Sequence, residues 1–350
     1  MTASFARIDA VVPLPSPARV HPSSVAPLRI GLIQHAWQSD GDELTHHLDE
    51  GIGIAAAAGA RIVFLPELTL SRYPASRRPT ERPDATSEDL KTGQTRAFAA
   101  AAAARHDVFV HASLFERTGD ADGRGLNAAI VVSPAGDIVA KTHKLHIPVT
   151  AGYYEDAYFR PGPADGTDAA GAAQVASAPR APHPGPYPVY DLDGLPGAHF
   201  GLPTCWDEWF PEVARAYSLG GANVVVYPTA IGSEPDHPAF DTQPLWQQVI
   251  VGNGIANGLF MVVPNRIGTE RSADGTNGIT FYGSSFVSDP YGRILAQAPR
   301  DAEAVLVVDL DLAQRDDWLD LFPFLQTRRP DTYGALLRPV NSARPSPETA

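Results

Sequence analysis

Cys205 is the only cysteine among the 350 residues of this chain. It stands where an apolar run, residues 198–204, gives way to a polar and aromatic segment, residues 205–212. The junction predicts a strand that ends in a sharp turn and opens a helix, where backbone N–H groups can face a ligand. A thiol with an ordinary pKa of about 8.5 needs a base and a positive charge nearby to become a nucleophile. A lone cysteine is also commonly a small buried hydrophobe, so position alone leaves both interpretations open.

Two further ionisable residues stand at the ends of predicted strands. Glu67 directly follows an apolar run, and a carboxyl buried there would have a raised pKa suited to a general base or acid. Lys144 follows a predicted hairpin and could supply positive charge to a thiolate or an oxyanion. Each has a simpler interpretation, since Glu67 could be solvated beyond the strand and Lys144 exposed on an edge strand.

An internal repeat supplies the elements that would position these residues. Residues 57–67 resemble residues 219–229, because each segment ends a helix at a glycine and continues as an apolar strand closed by proline. Residues 132–140 match residues 288–296, both as strand–turn–strand hairpins. The fold class is therefore α/β, and the simplest packing is a four-layer α-β-β-α sandwich of two pseudo-symmetric halves. Catalytic groups should collect at the strand ends of such a fold.

Segments outside this plan are poor in bulky apolar residues and are predicted to be flexible. They are the N-terminal extension at residues 1–27, an insertion at residues 163–188 and a loose tail at residues 341–350, around a main domain at residues 28–340. The predicted helices span residues 42–58, 89–105, 211–219 and 244–257.

Composition limits the partners and the compartment. A net charge of −13 and a pI near 5.2 argue against nucleic acid and anionic membranes as partners. One cysteine excludes an internal disulfide framework and fits a reducing compartment. No apolar run reaches the ~20 residues of a membrane span, and the first 27 residues hold no apolar secretory segment. We therefore expect a soluble, cytoplasmic protein that acts on a small molecule.

Three ordered segments resemble the sequence blocks of the nitrilase, or carbon–nitrogen hydrolase, superfamily. They are LPEL at residues 65–68, KLHIP at residues 144–148 and CWDEWFPE at residues 205–212. The resemblance runs from about residue 28 to residue 333. It implies the α-β-β-α sandwich and a Glu-Lys-Cys catalytic set, and it also implies a homodimer or larger assembly.

Matched motif by motif, this resemblance assigns roles to four residues. Glu67 takes the position of the general base, Lys144 that of the lysine and Cys205 that of the nucleophile. Glu155 matches the second glutamate, which supports the lysine and orients the substrate. The implied chemistry needs no metal and no organic cofactor. His46 and His47, next to each other on a predicted helix, point in different directions and are interpreted as a solvated face rather than metal ligands.

Other segments are similar to the N-carbamoylputrescine amidase branch, namely residues 205–212, 227–235, 265–268 and 281–286. The expected reaction is hydrolysis of an N-carbamoyl amine to amine, carbon dioxide and ammonia, with Lys144 and the backbone N–H of Trp206 holding the oxyanion. Residues 69–74, which help to shape the pocket in this family, differ from that branch. A carboxylic amide, a nitrile or an N-carbamoyl amino acid therefore stays open as the substrate, as does a non-catalytic binding role.

Candidate substrate contacts follow from the same comparison. Glu234 lies in a turn just past the strand that ends at Tyr227 and could face a substrate ammonium. Tyr73 and Arg72 belong to the divergent pocket segment. A substrate carboxylate would call for an arginine, which Arg72 or Arg266 could supply.

Overall fold

The computed structural model describes residues 5–166, 185–271 and 278–338. The described part of the chain contains five α-helices and seventeen strands. The helices are α1 (Gly41–Ala57), α2 (Gln94–His106), α3 (Pro211–Leu219), α4 (Gln243–Asn257) and α5 (Gln314–Leu321). The first nine strands are β1 (Ala6–Ala10), β2 (Leu28–Gln34), β3 (Ile62–Phe64), β4 (Phe109–Glu116), β5 (Leu126–Val132), β6 (Ile138–His143), β7 (Val149–Thr150), β8 (Tyr153–Tyr154) and β9 (Val189–Asp191). The other strands are β10 (His199–Gly201), β11 (Val224–Val226), β12 (Phe260–Val263), β13 (Ile267–Arg271), β14 (Gly278–Tyr282), β15 (Phe286–Ser288), β16 (Ile294–Gln297) and β17 (Ala304–Leu310).

Two large sheets form the middle of the fold. The first has the strand order β1-β17-β2-β3-β4-β5-β6, and the second has the order β16-β15-β12-β11-β10-β9. Strands β2, β3 and β4 run parallel, as do β10, β11 and β12. Each sheet continues into the antiparallel hairpin that the repeat predicted, β5–β6 in one and β15–β16 in the other. Two smaller hairpins, β7–β8 and β13–β14, lie outside both sheets.

Strands β3 and β11 explain why the repeat consists of continuous apolar runs. Successive side chains of a strand point to opposite faces. Ile62 and Phe64 of β3 belong to the core between the sheets, whereas Val63 belongs to the core beneath α1 and α2. In the same way β11 sends Val224 and Val226 inward and Val225 outward, beneath α3 and α4. Both faces of both sheets are therefore covered, which confirms the α/β class and gives the layer order helix, sheet, sheet, helix.

The predicted helix boundaries agree with the structure except at α2. Helix α3 spans the predicted residues, and α1 and α4 each begin one residue before the predicted start. Helix α2 begins at Gln94, so the predicted start at residue 89 is wrong. The carboxylate of Asp89 accepts hydrogen bonds from the N–H groups of Lys91 and Thr92, and this closes a turn in place of a first helical turn.

The N-terminal segment is the larger correction. Residues 5–27 are not a separate extension, because β1 pairs in parallel with β17 and becomes the edge of the first sheet. Arg19 also donates to the carboxylates of Asp311 and Asp317, which ties the segment that follows β1 to the start of α5. These partners lie almost 300 residues away in sequence, so local composition could not reveal them. Most of the predicted insertion, at residues 167–184, and the predicted tail lie outside the described residues.

None of the helices in the described ranges is long and apolar enough to cross a membrane.

Candidate active site

Glu67 lies in the turn that follows β3 and is fully buried, so its interpretation as a solvated carboxylate is wrong. Asn127 Nδ2 and Lys144 Nζ donate to Glu67 Oε1 at 2.7 and 2.9 Å. The backbone N–H of Ala230 donates to Glu67 Oε2 at 3.1 Å. Three donors from three different segments thus hold the carboxylate in one orientation.

Lys144 follows β6 directly and is also fully buried. Its Nζ lies 2.7 Å from Glu155 Oε2, and Tyr73 OH donates to the other oxygen of Glu155 at 2.9 Å. Glu67, Lys144, Glu155 and Tyr73 therefore form one continuous hydrogen-bonded network. The structure brings together three of the four predicted catalytic residues and one predicted substrate contact in this way.

The network controls the charges of its members. Burial opposes the charge of Lys144, but the carboxylates of Glu155 and Glu67 outweigh it and raise the lysine pKa well above its ordinary value. Burial raises the pKa of Glu155 to about 7, against the attraction of Lys144 and with the added repulsion of Glu67. Lys144 is thus a fixed cation, whereas Glu155 can gain a proton near neutral pH.

Cys205 begins a single 3₁₀ turn, Cys205–Trp209, which leads into α3. Its φ of +24° is rare for any residue other than glycine and indicates a strained backbone at this position. The Cys205 N–H donates to the carbonyl of Pro228 at 3.1 Å, and the side chain is buried. The sequence predicted this strand–turn–helix geometry.

Asp207 stabilises the turn that begins at Cys205. Its carboxylate accepts hydrogen bonds from the backbone N–H groups of Thr204 at 3.1 Å and His146 at 3.0 Å. The His146 ring lies 2.7 Å from the same carboxylate and stacks on Phe210. His146 therefore supports the turn that carries Cys205, although it lies only two residues after Lys144.

The resting thiol is neutral. Burial raises the pKa of Cys205 well above its ordinary value, and the charge of Glu67 adds to this effect while Lys144 opposes it. Glu67 and Lys144 thus both act electrostatically on the sulfur. A preformed thiolate is therefore disfavoured, and attack by the sulfur requires simultaneous removal of its proton by a neighbouring base.

Three other residues that we predicted to contact the substrate, Trp206, Glu234 and Arg72, are partly buried. Trp206 is half-buried, with its ring centroid 6.1 Å from that of Trp209. Glu234 is partly buried, and burial raises the pKa of its carboxyl against the nearby His237. Arg72 lies beside Tyr73 at a surface cavity of about 330 Å³ whose lining does not include Cys205.

Arg266 has a different task from the one that the sequence suggested. It is fully buried and donates to the backbone carbonyls of Glu67 at 2.8 Å and Ser71 at 2.7 Å. Its other terminal nitrogen lies 2.6 Å from Glu270 Oε1. The prediction that Arg266 could recognise a substrate carboxylate is therefore wrong, because its guanidinium already holds the segment that carries Glu67.

The carbon–nitrogen hydrolase family model matches residues 29–319 of this sequence. The chain belongs to the carbon–nitrogen hydrolase family. It is 31% identical over 314 residues to a citrullinase from Francisella tularensis subsp. tularensis, an alignment that covers 90% of this chain and 99% of the relative. It is 34% identical over 291 residues to the N-carbamoylputrescine amidase of Arabidopsis thaliana, covering 81% of this chain and 86% of that protein.

Solved structures show the same fold. A crystal structure of a carbon–nitrogen hydrolase from Helicobacter pylori G27 superposes with a TM-score of 0.73 at 29% identity, covering 89% of this chain and 99% of the other. A Nesterenkonia amidase of the nitrilase superfamily superposes with a TM-score of 0.63 at 23% identity, covering 89% of this chain and 98% of the other. The sequence resemblance to the superfamily is thereby confirmed.

Sequence reasoning missed two residues of this carbon–nitrogen hydrolase site. Asn127 is the only polar residue in the otherwise apolar strand β5, and that interruption could have marked it as a ligand of a buried group. Glu208 is fully buried and acts electrostatically on Cys205, yet its sequence segment is as rich in acidic as in aromatic residues and gave no signal.

No group of three His, Cys, Asp or Glu side chains in the described part of this hydrolase could hold a metal ion. His47, which we interpreted as part of a solvated helix face, is instead buried and lies 2.8 Å from Glu303. His46 is exposed beside Glu50.

Proposed function

We propose that this carbon–nitrogen hydrolase cleaves the ureido group of an N-carbamoyl amine, with Cys205 as nucleophile and Glu67 as general base. One observation carries the proposal. A buried thiol on a strained turn lies beside the fully hydrogen-bonded Glu67–Lys144–Glu155 network. That arrangement provides a nucleophile, a base and a fixed positive charge in one water-poor place.

In the first half of the reaction, Glu67 takes the thiol proton as the sulfur attacks the ureido carbon. The negative charge that develops on the carbonyl oxygen is stabilised by Lys144 and by the backbone N–H of Trp206, near the start of the 3₁₀ turn. Glu67 then returns the proton to the terminal nitrogen, the carbon–nitrogen bond breaks and ammonia leaves. A thiocarbamate on Cys205 remains.

In the second half, water takes the place of ammonia. Glu67 removes a proton from the water as its oxygen attacks the thiocarbamate carbon, and the proton passes to the departing sulfur. The product carbamate then decays to the amine and carbon dioxide. Glu155 keeps Lys144 in place throughout, because it bonds to Lys144 Nζ and is itself held by Tyr73.

Two of the relatives support a ureido substrate with a distant amine. Their names state N-carbamoylputrescine and citrulline as their substrates. Both compounds carry a ureido group at one end of an alkyl chain and an ammonium group at the other end. The net charge of −13 attracts such cations to the protein, and Glu234 is a carboxylate near the outer part of the site that suits them.

An N-carbamoyl amino acid is the second candidate, since the citrullinase aligns over 99% of its own length and citrulline carries a carboxylate. Arg72 has a terminal guanidinium nitrogen, Nη2, without a hydrogen-bond partner among the described residues, so it is available to an anion. Its cavity does not include Cys205, which is why we place the amine without a carboxylate first.

Ammonia release from a substrate panel tests the proposal. The panel holds N-carbamoylputrescine, citrulline, butylurea, a simple carboxylic amide and a nitrile, each at matched concentration. We expect kcat/KM to be largest for N-carbamoylputrescine. Faster hydrolysis of citrulline would favour the second candidate, and hydrolysis of the amide or nitrile alone would overturn the assignment of a ureido substrate.

A further inference from the structure

Glu208 is a buried carboxyl group that lacks the partners such groups normally have. It is fully buried, and neither of its carboxyl oxygens has a hydrogen-bond partner among the residues that the structure describes. Buried polar groups in proteins are nearly always hydrogen-bonded, because leaving them unpaired costs free energy. The carboxylates of Glu67 and Glu155 obey that rule, each with at least two bonds. Glu208 therefore has unused hydrogen-bonding capacity for a partner other than the described residues.

The 3₁₀ turn places Glu208 on the same side as the nucleophile. A 3₁₀ helix has three residues per turn, so side chains at positions i and i+3 eclipse each other, separated by a rise of about 6 Å. Cys205 and Glu208 stand in that relation within the turn Cys205–Trp209. When ionised, Glu208 raises the pKa of the Cys205 thiol, so the two side chains are electrostatically coupled.

Two aromatic side chains, Trp246 and Tyr282, interact with the Glu208 carboxyl. Trp246 and Tyr282, whose ring centroids are 5.5 Å apart, belong to the same buried cluster as Cys205. Glu208 acts electrostatically on Tyr282, as does Cys205. The indole N–H of Trp246 lies near the carboxyl but outside hydrogen-bond geometry. A single N–H could in any case satisfy only one of the two oxygens.

We propose that Glu208, together with the rings of Trp246 and Tyr282, binds the cationic end of the substrate. Burial raises the pKa of the Glu208 carboxyl well above its ordinary value, so the group gains most from a cation. An alkylammonium ion would pair with the ionised carboxylate while the rings contact the charge and the adjoining methylene groups. This inference rests on the proposed ureido hydrolysis and specifies which substrates the site prefers.

The length of the substrate agrees with the spacing of Cys205 and Glu208 along the 3₁₀ turn. In N-carbamoylputrescine the ureido carbon and the ammonium nitrogen are about 7 Å apart when the chain is extended, from bond lengths near 1.5 Å. One 3₁₀ turn separates the residues that would engage the two ends by a rise of about 6 Å. Glu234 is less buried than Glu208 and acts electrostatically on Tyr153, so we assign it to the entrance and not to the ammonium site.

Glu208→Gln tests the assignment with two substrates that share the ureido group and a four-carbon chain. N-carbamoylputrescine carries the ammonium, whereas butylurea has the same ureido group and a neutral end. We expect KM for N-carbamoylputrescine to rise at least about tenfold, with kcat within a factor of about three and butylurea little changed. Glu212→Gln, the same charge change at an exposed position of the same segment, is the matched control and should alter neither substrate.

The outcomes separate this inference from the proposed function. If the unmodified enzyme hydrolyses neither ureido compound, the proposed function fails. If it hydrolyses them but Glu208→Gln impairs both equally, Glu208 has only a structural role and the inference is overturned. If Glu234→Gln, and not Glu208→Gln, selectively raises KM for N-carbamoylputrescine, the ammonium group binds at Glu234 instead.

A second variant keeps the test decisive if Glu208→Gln does not fold. Glu208→Asp retains the charge and withdraws it by one methylene. We expect a smaller but still selective rise in KM for N-carbamoylputrescine, with a melting temperature close to that of the unmodified protein. An equal change for butylurea would overturn the assignment.

Discussion

Glu67 and Glu155 differ from Glu208, the third buried carboxyl that acts on Cys205, in their hydrogen bonds. Glu67 and Glu155, the paired carboxylates, share Lys144 Nζ and receive further bonds from Asn127 and Tyr73. Glu208 lies in the same turn as Cys205, and no described residue donates a hydrogen bond to its carboxyl oxygens. Both kinds are removed from water, so burial alone does not explain the difference.

This difference in hydrogen bonding indicates different functions for the two kinds of carboxyl group. A carboxylate with three fixed donors cannot reorient, which suits a base that must meet the same proton in every turnover. A carboxyl group without donors gains most when a ligand brings them, which suits recognition of a substrate. Changes at the paired carboxylates should therefore lower kcat for all substrates, whereas changes at Glu208 should affect KM for cations.

The largest effect is expected from Cys205→Ala. Removing the sulfur removes covalent catalysis, while the smaller side chain leaves the turn and its Asp207 contacts in place. We expect no measurable ammonia release from either ureido compound and an unchanged circular dichroism spectrum. Appreciable turnover in this variant would contradict the covalent mechanism. It would also remove the basis for assigning different functions to the carboxyls near the thiol.

Lys144→Met should lower kcat by about 10²–10³, because it removes one stabilising group from the oxyanion. It should also lower the free energy of unfolding by about 3–5 kcal/mol, since Glu67 and Glu155 lose the cation between them. Kinetics with both ureido compounds and urea unfolding measure the two effects.

Lys141→Met is the matched control for this lysine. Lys141 is buried and lies 2.8 Å from Glu116, outside the network of Lys144. We expect this variant to lose stability but to keep kcat within a factor of about three, because it also removes a buried ion pair without touching the oxyanion. Equal losses of kcat in both lysine variants would show that Lys144 acts through the fold alone.

Glu155 should make the stability depend on pH. Its pKa is about 7 in the folded protein against an ordinary value of 4.5, so between these values the folded state holds a proton that the unfolded state has released. Stability contributed by this proton is complete below about pH 4.5 and is lost as the pH rises to about 7, by at most about 3 kcal/mol.

Glu155→Gln should remove that part of the pH dependence, since an amide cannot titrate. Urea unfolding at several pH values between 4.5 and 8 compares the two proteins. We expect the stability of the unmodified protein to fall more steeply with pH than that of the variant. Parallel profiles would show that Glu155 is already ionised across this range.

Tyr73→Phe is expected to have the smallest effect. It removes one hydrogen bond to Glu155 while Lys144 continues to hold the other oxygen. A single bond to a charged group is worth about 1.5–3 kcal/mol, so kcat should fall by about tenfold and by no more than about 150-fold. Tyr158→Phe, whose hydroxyl bonds to the carbonyl of Arg77, is the control and should keep kcat. A rise in KM for N-carbamoylputrescine alone would show that Tyr73 contributes to substrate recognition instead.

The sequence was sufficient where the signal is local or repeated. The apolar runs of β3 and β11 and the two hairpins predicted the sheets, since alternation and turn residues act over a few positions. Three motifs predicted Glu67, Lys144 and Cys205 as the catalytic set. The structure joins Glu67, Lys144 and Glu155 in one hydrogen-bonded network that acts electrostatically on Cys205. The strain at Cys205 also follows a local pattern, a strand that turns sharply into a helix.

Tertiary structure alone decided which polar groups have partners. Asn127 reaches Glu67 across 60 residues, and Arg266 reaches the same segment across 199, so neither role can be read from neighbouring residues. The same holds for β1, whose hydrogen bonds come from β17 at the other end of the chain. Glu208 differs from other glutamates by the donors that it lacks, which requires knowing every group packed around it. Local sequence therefore determined the elements and the chemical types, whereas charge compensation was decided by contacts that only the folded chain creates.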